Sequence, residues 1–187
     1  NSKMKRLFLA IPLPDEEIKR LDAYLVPYRS DPRFANAKWV EPQNFHLTLL
    51  FLGEVQEMMI PEMLQILRGF FAQIPAFELQ FESLELFPGK SPTMIWARFH
   101  KSFPLTELKS ELRKYLSPYV QEIEDEKESI SHLTLARLKT PIDSRKFAFK
   151  PYQMPLLQIN ECHLYESELT EAGPIYSLIE NFLYARS

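Results

Sequence analysis

The chain has 187 residues, 45% of them hydrophobic and 25% charged, enough for one well-buried domain or for two small lobes sharing an interface. A formal charge of −3 excludes broad, sequence-independent binding to nucleic acid, which needs a basic face to displace counterions, while leaving room for basic residues gathered in one cleft. The single cysteine, Cys162, rules out an intramolecular disulfide and fits a reducing cytoplasm, and neither a signal-peptide pattern nor an apolar run of the roughly 18 residues of a membrane span is present.

Asn1 to Lys3, ahead of Met4, read as a vector-derived extension and are left out of the fold. "KRLFLAIPLP" (5–14) is an apolar run closed by prolines and predicts a buried strand. Asp15 is placed to cap a helix over 16–28, in which Ile18, Leu21 and Leu25 recur at helical spacing. The polar, proline-punctuated stretch 29–44 predicts a loop with at most a short strand at "KWV". "FHLTLLFLGEV" (45–55) predicts a strand ended by Gly53 and Glu54, followed by an amphipathic helix over 60–74 that takes Pro61 in its first turn. "AFELQFESLELF" (76–87) and "TMIWARF" (93–99), separated by turn-forming residues, predict an antiparallel hairpin. A third helix follows over 103–120, then an acidic exposed connector over 121–130, and then a strand at "HLTLARL" (132–138). Strands over 156–169 and within 174–184, joined by "TEAG", complete the pattern. Hairpins mixed with helices define an α+β class rather than a doubly wound parallel sheet, and no glycine-rich phosphate loop is present.

One tetrapeptide, His-Leu-Thr-Leu, occurs twice, at 46–49 and 132–135, in a chain with four histidines and six threonines. Side chains alternate along a strand, so His46 and Thr48 project together while Leu47 and Leu49 enter a core; His132 and Thr134 stand likewise over Leu133 and Leu135. Facing each other across a cleft, the two copies supply two titratable nitrogens and two hydroxyl donors around one small anion. Phosphate suits that set. One histidine can remove a proton from attacking water while the other protonates the leaving oxygen, and an ordinary pKa of about 6.5 makes both forms accessible near neutrality. Duplication of half a fold could preserve such a pattern without function, yet a core strand has little use for His and Thr at positions that must then find partners.

The residues "KRLFLAI", "WVEPQNFHLTLLFLGEV", "FPGKSPTMIWARF", "SHLTLAR" and "LYESELTEAGPIYSLIENFLY" resemble the 2H phosphoesterase superfamily, defined by two H-x-[TS] motifs. The likeness is specifically to its LigT-like RNA 2′,3′-cyclic phosphodiesterases, also called 2′-5′ RNA ligases. Two departures are Leu50, where the family often has Lys, and Ser131, where a proline commonly precedes the second histidine. The resemblance implies one bilobal α+β domain over 1–187, with two antiparallel-sheet lobes, each backed by helices, around a central cleft. It implies metal-free hydrolysis of RNA or nucleotide 2′,3′-cyclic phosphates to 2′-phosphates, with reverse 2′-5′ ligation open to the same site. His46 would be the general acid and His132 the general base, with Thr48 and Thr134 as phosphate donors. Arg137 would make a phosphate or ribose contact, or else a structural salt bridge; five positions past His132, it lies on the opposite face unless a bulge or strand end redirects it.

No cofactor or metal is expected, since HExxH, H-x-H and CxxC are all lacking. Cys162 and His163 are adjacent and so on opposite faces of a strand, which argues against a Cys-His pair, and His100 reads as a surface residue. Phe8, Trp39, Phe51 and Phe87 are candidates to stack on a base, and Lys90, Arg98 and Lys150 to line the cleft. The expected partners are RNA ends or nucleotides carrying a 2′,3′-cyclic phosphate, with no membrane and a monomeric, cytoplasmic protein. Phosphodiesterase action on 2′-5′ oligonucleotides or on an ADP-ribose cyclic phosphate, and a non-catalytic module binding RNA ends, are the competing readings.

Overall fold

The computed structural model describes residues 3–120 and 130–186. Among the described residues, ten strands and three α-helices form the α+β fold expected from the sequence. Two antiparallel four-stranded sheets carry it. The first has the order β10-β9-β1-β3 and the second β2-β7-β6-β5, with β1 Met4–Pro12, β2 Lys38–Trp39, β3 His46–Gln56, β5 Phe81–Phe87, β6 Met94–Phe99, β7 His132–Arg137, β9 Glu161–Thr170 and β10 Gly173–Leu183. A two-stranded sheet of β4 (Phe77–Leu79) and β8 (Leu157–Ile159) completes the set. Each copy of the repeated tetrapeptide thus opens one strand in each large sheet, β3 at an edge and β7 inside.

The helices are α1 Asp15–Arg29, α2 Ile60–Phe71 and α3 Phe103–Leu116. Each presents its apolar positions to a single buried cluster: Leu21 and Leu25 from α1, Met63 and Leu67 from α2, Leu108 and Leu112 from α3. Phe71 of α2 stacks on Phe182 of β10 with centroids 5.3 Å apart, which seats α2 on the first sheet. Phe70 meets Tyr115 of α3 at 4.9 Å and joins the two helices. No described helix is long and apolar enough to cross a membrane.

Several expectations need correction. Asp15 does not cap α1. Extended Pro14 holds the cap position, its carbonyl accepting from the Glu17 and Ile18 amides, so that Asp15, Glu16 and Glu17 form an acidic first turn favoured by the helix dipole. The strand beginning at His46 does not stop at Gly53, which adopts φ +67° inside it beside the extra residue Leu52; a bulge lets pairing with β1 continue to Gln56. The stretches 76–87 and 156–169 each break once, at Gln80 and Asn160, so that β4 and β8 pair with each other while β5 and β9 join separate large sheets. The acidic connector expected over 121–130 lies outside the described residues except for Ile130.

Candidate active site

A cleft of about 890 Å³ is lined by His46 and Thr48 from β3 and by His132, Thr134 and Arg137 from β7. All five site residues expected from the sequence therefore face one space. Alternation puts His46 and Thr48 on the cleft side and buries Leu47 and Leu49; in β7, Leu133 and Leu135 are buried in the same way.

Arg137 reaches the cleft because β7 carries a bulge. Ile95 pairs with Ala136 and Trp96 with Thr134, so Leu135 is an extra residue and the strand's parity reverses after it. Consecutive Leu135 and Ala136 are buried, and Arg137 emerges on the face of His132. The other copy does the same. Leu9 pairs with Leu50 and Ala10 with Thr48, leaving Leu49 as the extra residue, and Phe51 emerges on the face of His46. The repetition in the sequence thus extends to its backbone irregularity.

The two imidazoles sit in different surroundings. His46 stands among Phe8, Tyr165 and Tyr176, with centroids at 5.3, 5.5 and 5.6 Å; the Tyr165 ring is nearly parallel to it, at 23°. Burial in this aromatic wall, reinforced by His163, lowers the His46 pKa to about 4. The His132 ring lies 3.7 Å from that of Trp96, which in turn stacks on Phe87 at 3.7 Å. His132 Nδ1 is 2.7 Å from the Ile130 carbonyl oxygen. A carbonyl can only accept, so Nδ1 carries hydrogen and proton exchange falls to Nε2.

Basic residues gather along the same cleft. Arg6, Lys38, Lys109 and Arg137 line it, against Glu41 and Glu54. Lys38 and Arg137 are cross-strand partners, and the Lys38 ammonium lies 3.2 Å from where a Cβ on Gly173, at φ +117°, would stand. Arg20, Arg29, Arg33, Arg68, Arg98 and Arg145 each hold a carboxylate, but none of the ion pairs among the described residues involves Arg6, Lys38 or Arg137. Three basic side chains that none of those ion pairs engages thus line the cleft of the two histidines, in a chain that is acidic as a whole.

Of the other sequence candidates, Phe8, Trp39 and Phe51 line the cleft, whereas Phe87 lies behind Trp96. Arg98 is tied to Glu85 at 2.6 Å, and neither it nor Lys90 nor Lys150 lines the cleft. His100 is a half-exposed residue 4.0 Å from Glu82. Sequence reasoning misses Arg6, Lys38, Tyr165 and Tyr176. Their positions depend on strand pairing rather than local pattern; only the basic residue opening "KWV" could draw notice. Among the described residues, no three His, Cys, Asp or Glu side chains are grouped to hold a metal ion.

An α+β fold with an H-x-T pair on each wall of one cleft defines a phosphoesterase of the two-histidine class. The model of the LigT-like phosphoesterases matches residues 11–96. The chain is 30% identical over 177 residues to the RNA 2′,3′-cyclic phosphodiesterase of Thermotoga maritima, covering 93% of this chain and 92% of that one. It is 30% identical over 183 residues to the enzyme of the same name from Thermus thermophilus, at 95% and 89% coverage. Among solved structures, the Thermus thermophilus protein TT0787 superposes with a TM-score of 0.79 at 28% identity, covering 97% of this chain and all of that one. Escherichia coli LigT complexed with 3′-AMP shares the fold at a TM-score of 0.70 and 24% identity, over 98% of this chain and 100% of that one. The chain belongs to the LigT-like phosphoesterase family.

Proposed function

We propose that the protein hydrolyses ribose 2′,3′-cyclic phosphates, at RNA ends or on nucleotides, to 2′-phosphates. The observation that carries this reading is the convergence on one cleft of both H-x-T pairs and of Arg6, Lys38 and Arg137, which none of the ion pairs among the described residues engages. His132 acts as base, since its Nδ1–H bond to the Ile130 carbonyl directs the basic lone pair to Nε2. Nε2 takes a proton from water, the water oxygen bonds to phosphorus, the bond from phosphorus to O3′ breaks, and His46 gives its proton to O3′. Thr48 and Thr134 donate hydrogen bonds to the non-bridging oxygens, and Arg137 adds a charge-assisted contact. With a 5′-hydroxyl in place of water as the nucleophile, the same steps in the same direction form a 2′-5′ linkage. Curated relatives named RNA 2′,3′-cyclic phosphodiesterase support the substrate class.

The test is turnover of 2′,3′-cyclic AMP and of an RNA ending in a 2′,3′-cyclic phosphate, in EDTA, by the parent protein and by His46→Ala and His132→Ala. The expected result is a 2′-phosphate product from the parent, with each variant at least about 10²-fold slower, the range of a lost acid or base. Activity that survives both substitutions would overturn the assignment of the site. A folded parent inert on both substrates would overturn the reaction.

A further inference from the structure

His163, which its neighbour Cys162 cannot join in a Cys-His pair, stands one strand beyond β1 on the cleft side of the first sheet. It pairs across the sheet with Ala10, which pairs with Thr48, so β9, β1 and β3 contribute one row of residues. Cys162 points the other way and is wholly buried. The His163 Nδ1 atom is 3.0 Å from the Tyr165 hydroxyl. The Tyr165 ring is the one stacked on His46, 5.5 Å between centroids. On its other side, His163 Nε2 is 4.0 Å from a Glu161 carboxylate oxygen, and the second Glu161 oxygen accepts from Asn181 Nδ2 at 2.9 Å. A hydrogen-bonded pair of side chains, with a carboxylate 4.0 Å beyond its far end, thus terminates on the face of one reacting imidazole.

We propose that His163 is a positioning residue for His46, acting through Tyr165: it fixes the phenol ring against the imidazole and sets, by its own charge, how readily His46 takes up a proton. The inference rests on His46 exchanging a proton in the reaction proposed above. Neutral His163 accepts the Tyr165 O–H at Nδ1 with its N–H toward Glu161; protonated His163 must donate to the phenol oxygen instead. The first state enriches the ring electrons that face His46, and the second sets a like charge near it. The titratable groups that interact with His163 are Glu161 and Tyr165 on β9 and His46 on β3; its cross-strand partners, Asn181 on β10 and Ala10 on β1, carry no charge. Burial lowers the His163 pKa and Glu161 opposes that, which keeps its titration under local control.

The experiment is an NMR titration of His46 in the ligand-free parent and in His163→Asn, His163→Leu and Tyr165→Phe, paired with kcat and KM profiles on the cyclic-phosphate RNA. Asn retains a donor and acceptor near the Nδ1 position without a titrating charge. His46 should therefore titrate at higher pH in His163→Asn, with kcat within about threefold of the parent. His163→Leu and Tyr165→Phe, which lose the bond, should lower kcat by about 10-fold at unchanged KM, the size of effect seen when an orienting partner of a functional imidazole is removed. A His46 titration unmoved in every variant, or a loss in His163→Leu that is equal at all pH values and not rescued by Asn, would overturn the proposal. The titration needs no turnover, so a failure of the proposed reaction leaves it decisive.

Discussion

Phe51 and Arg137 occupy the same place in two copies of one strand pattern: each stands five residues past a cleft histidine and, because of the bulges at Leu49 and Leu135, on that histidine's face. The backbone is repeated while the chemistry is not. Phe51, 52% exposed, extends the aromatic wall of Phe8 on the first sheet, with ring centroids 6.1 Å apart; Arg137, beside Lys38, continues the basic wall of the second. A nucleotide that places its cyclic phosphate between the histidines is thereby offered an apolar side for its base and a cationic side for neighbouring phosphates.

That asymmetry separates the two substitutions experimentally. Arg137→Ala should raise KM for an RNA end and lower the slope of log(kcat/KM) against log salt by about 0.7, the value for one phosphate contact on a single strand. Phe51→Ala should leave the slope unchanged and cost about 1 to 3 kcal/mol of binding through lost stacking. Identical slopes in parent and Arg137→Ala would remove Arg137 from the phosphate contacts.

A pKa of about 4 means that His46 is neutral at pH 7. Acting as the acid, it must gain a proton as the anionic substrate binds, because the phosphate charge favours imidazolium. Calorimetry of 2′,3′-cyclic AMP binding to His132→Ala, which prevents turnover, should show proton uptake when buffers of different ionisation enthalpy are compared. The uptake should vanish when His46→Gln is added. Tight binding with no uptake would reverse the roles of the two histidines.

The same residue makes the fold sensitive to acid. Between pH 6.5 and pH 4 the unfolded chain binds a proton at this position and the folded chain does not, so stability is lost as pH falls through that window and is fully present above it. Relative to His46→Gln, the parent should lose about 2 to 3 kcal/mol between pH 7.5 and 4.5, measured by denaturant unfolding. Parallel pH curves for the two proteins would contradict the burial of a neutral imidazole.

Two glycines should respond oppositely to alanine. Neither Gly53 nor Gly69 has an atom within 4 Å of where a Cβ would stand, so conformation alone decides. Gly53, at φ +67° in the β3 bulge, should lose about 1 kcal/mol as Ala; Gly69, on the exposed side of α2, should gain about 0.5 to 1 kcal/mol. Melting temperatures of Gly53→Ala and Gly69→Ala provide the check.

The repeated His-Leu-Thr-Leu is readable because strand alternation alone puts His and Thr on one face, and both pairs do line the cleft. Alternation then misleads at Arg137, since a bulge arises from pairing between strands and leaves no mark in the residues themselves. The sequence places His163 correctly on the face opposite Cys162, but which face borders the cleft depends on Ala10 and Thr48, more than a hundred residues away. Asp15 is a reasonable cap by residue type; Pro14 takes the position because its extended backbone already aims a carbonyl along the helix. The breaks at Gln80 and Asn160 follow from β4 and β8 finding each other, which neither segment announces alone.

The sheet that carries the first motif is assembled from the two ends of the chain: β1 and β3 come from residues 4–56, β9 and β10 from 161–183. During synthesis, His46 emerges long before Tyr165 and Tyr176, the rings that enclose it. A growing chain therefore holds both histidines while one of them still lacks its walls. A fragment that ends before the last hairpin keeps the motif but not the rings that enclose it.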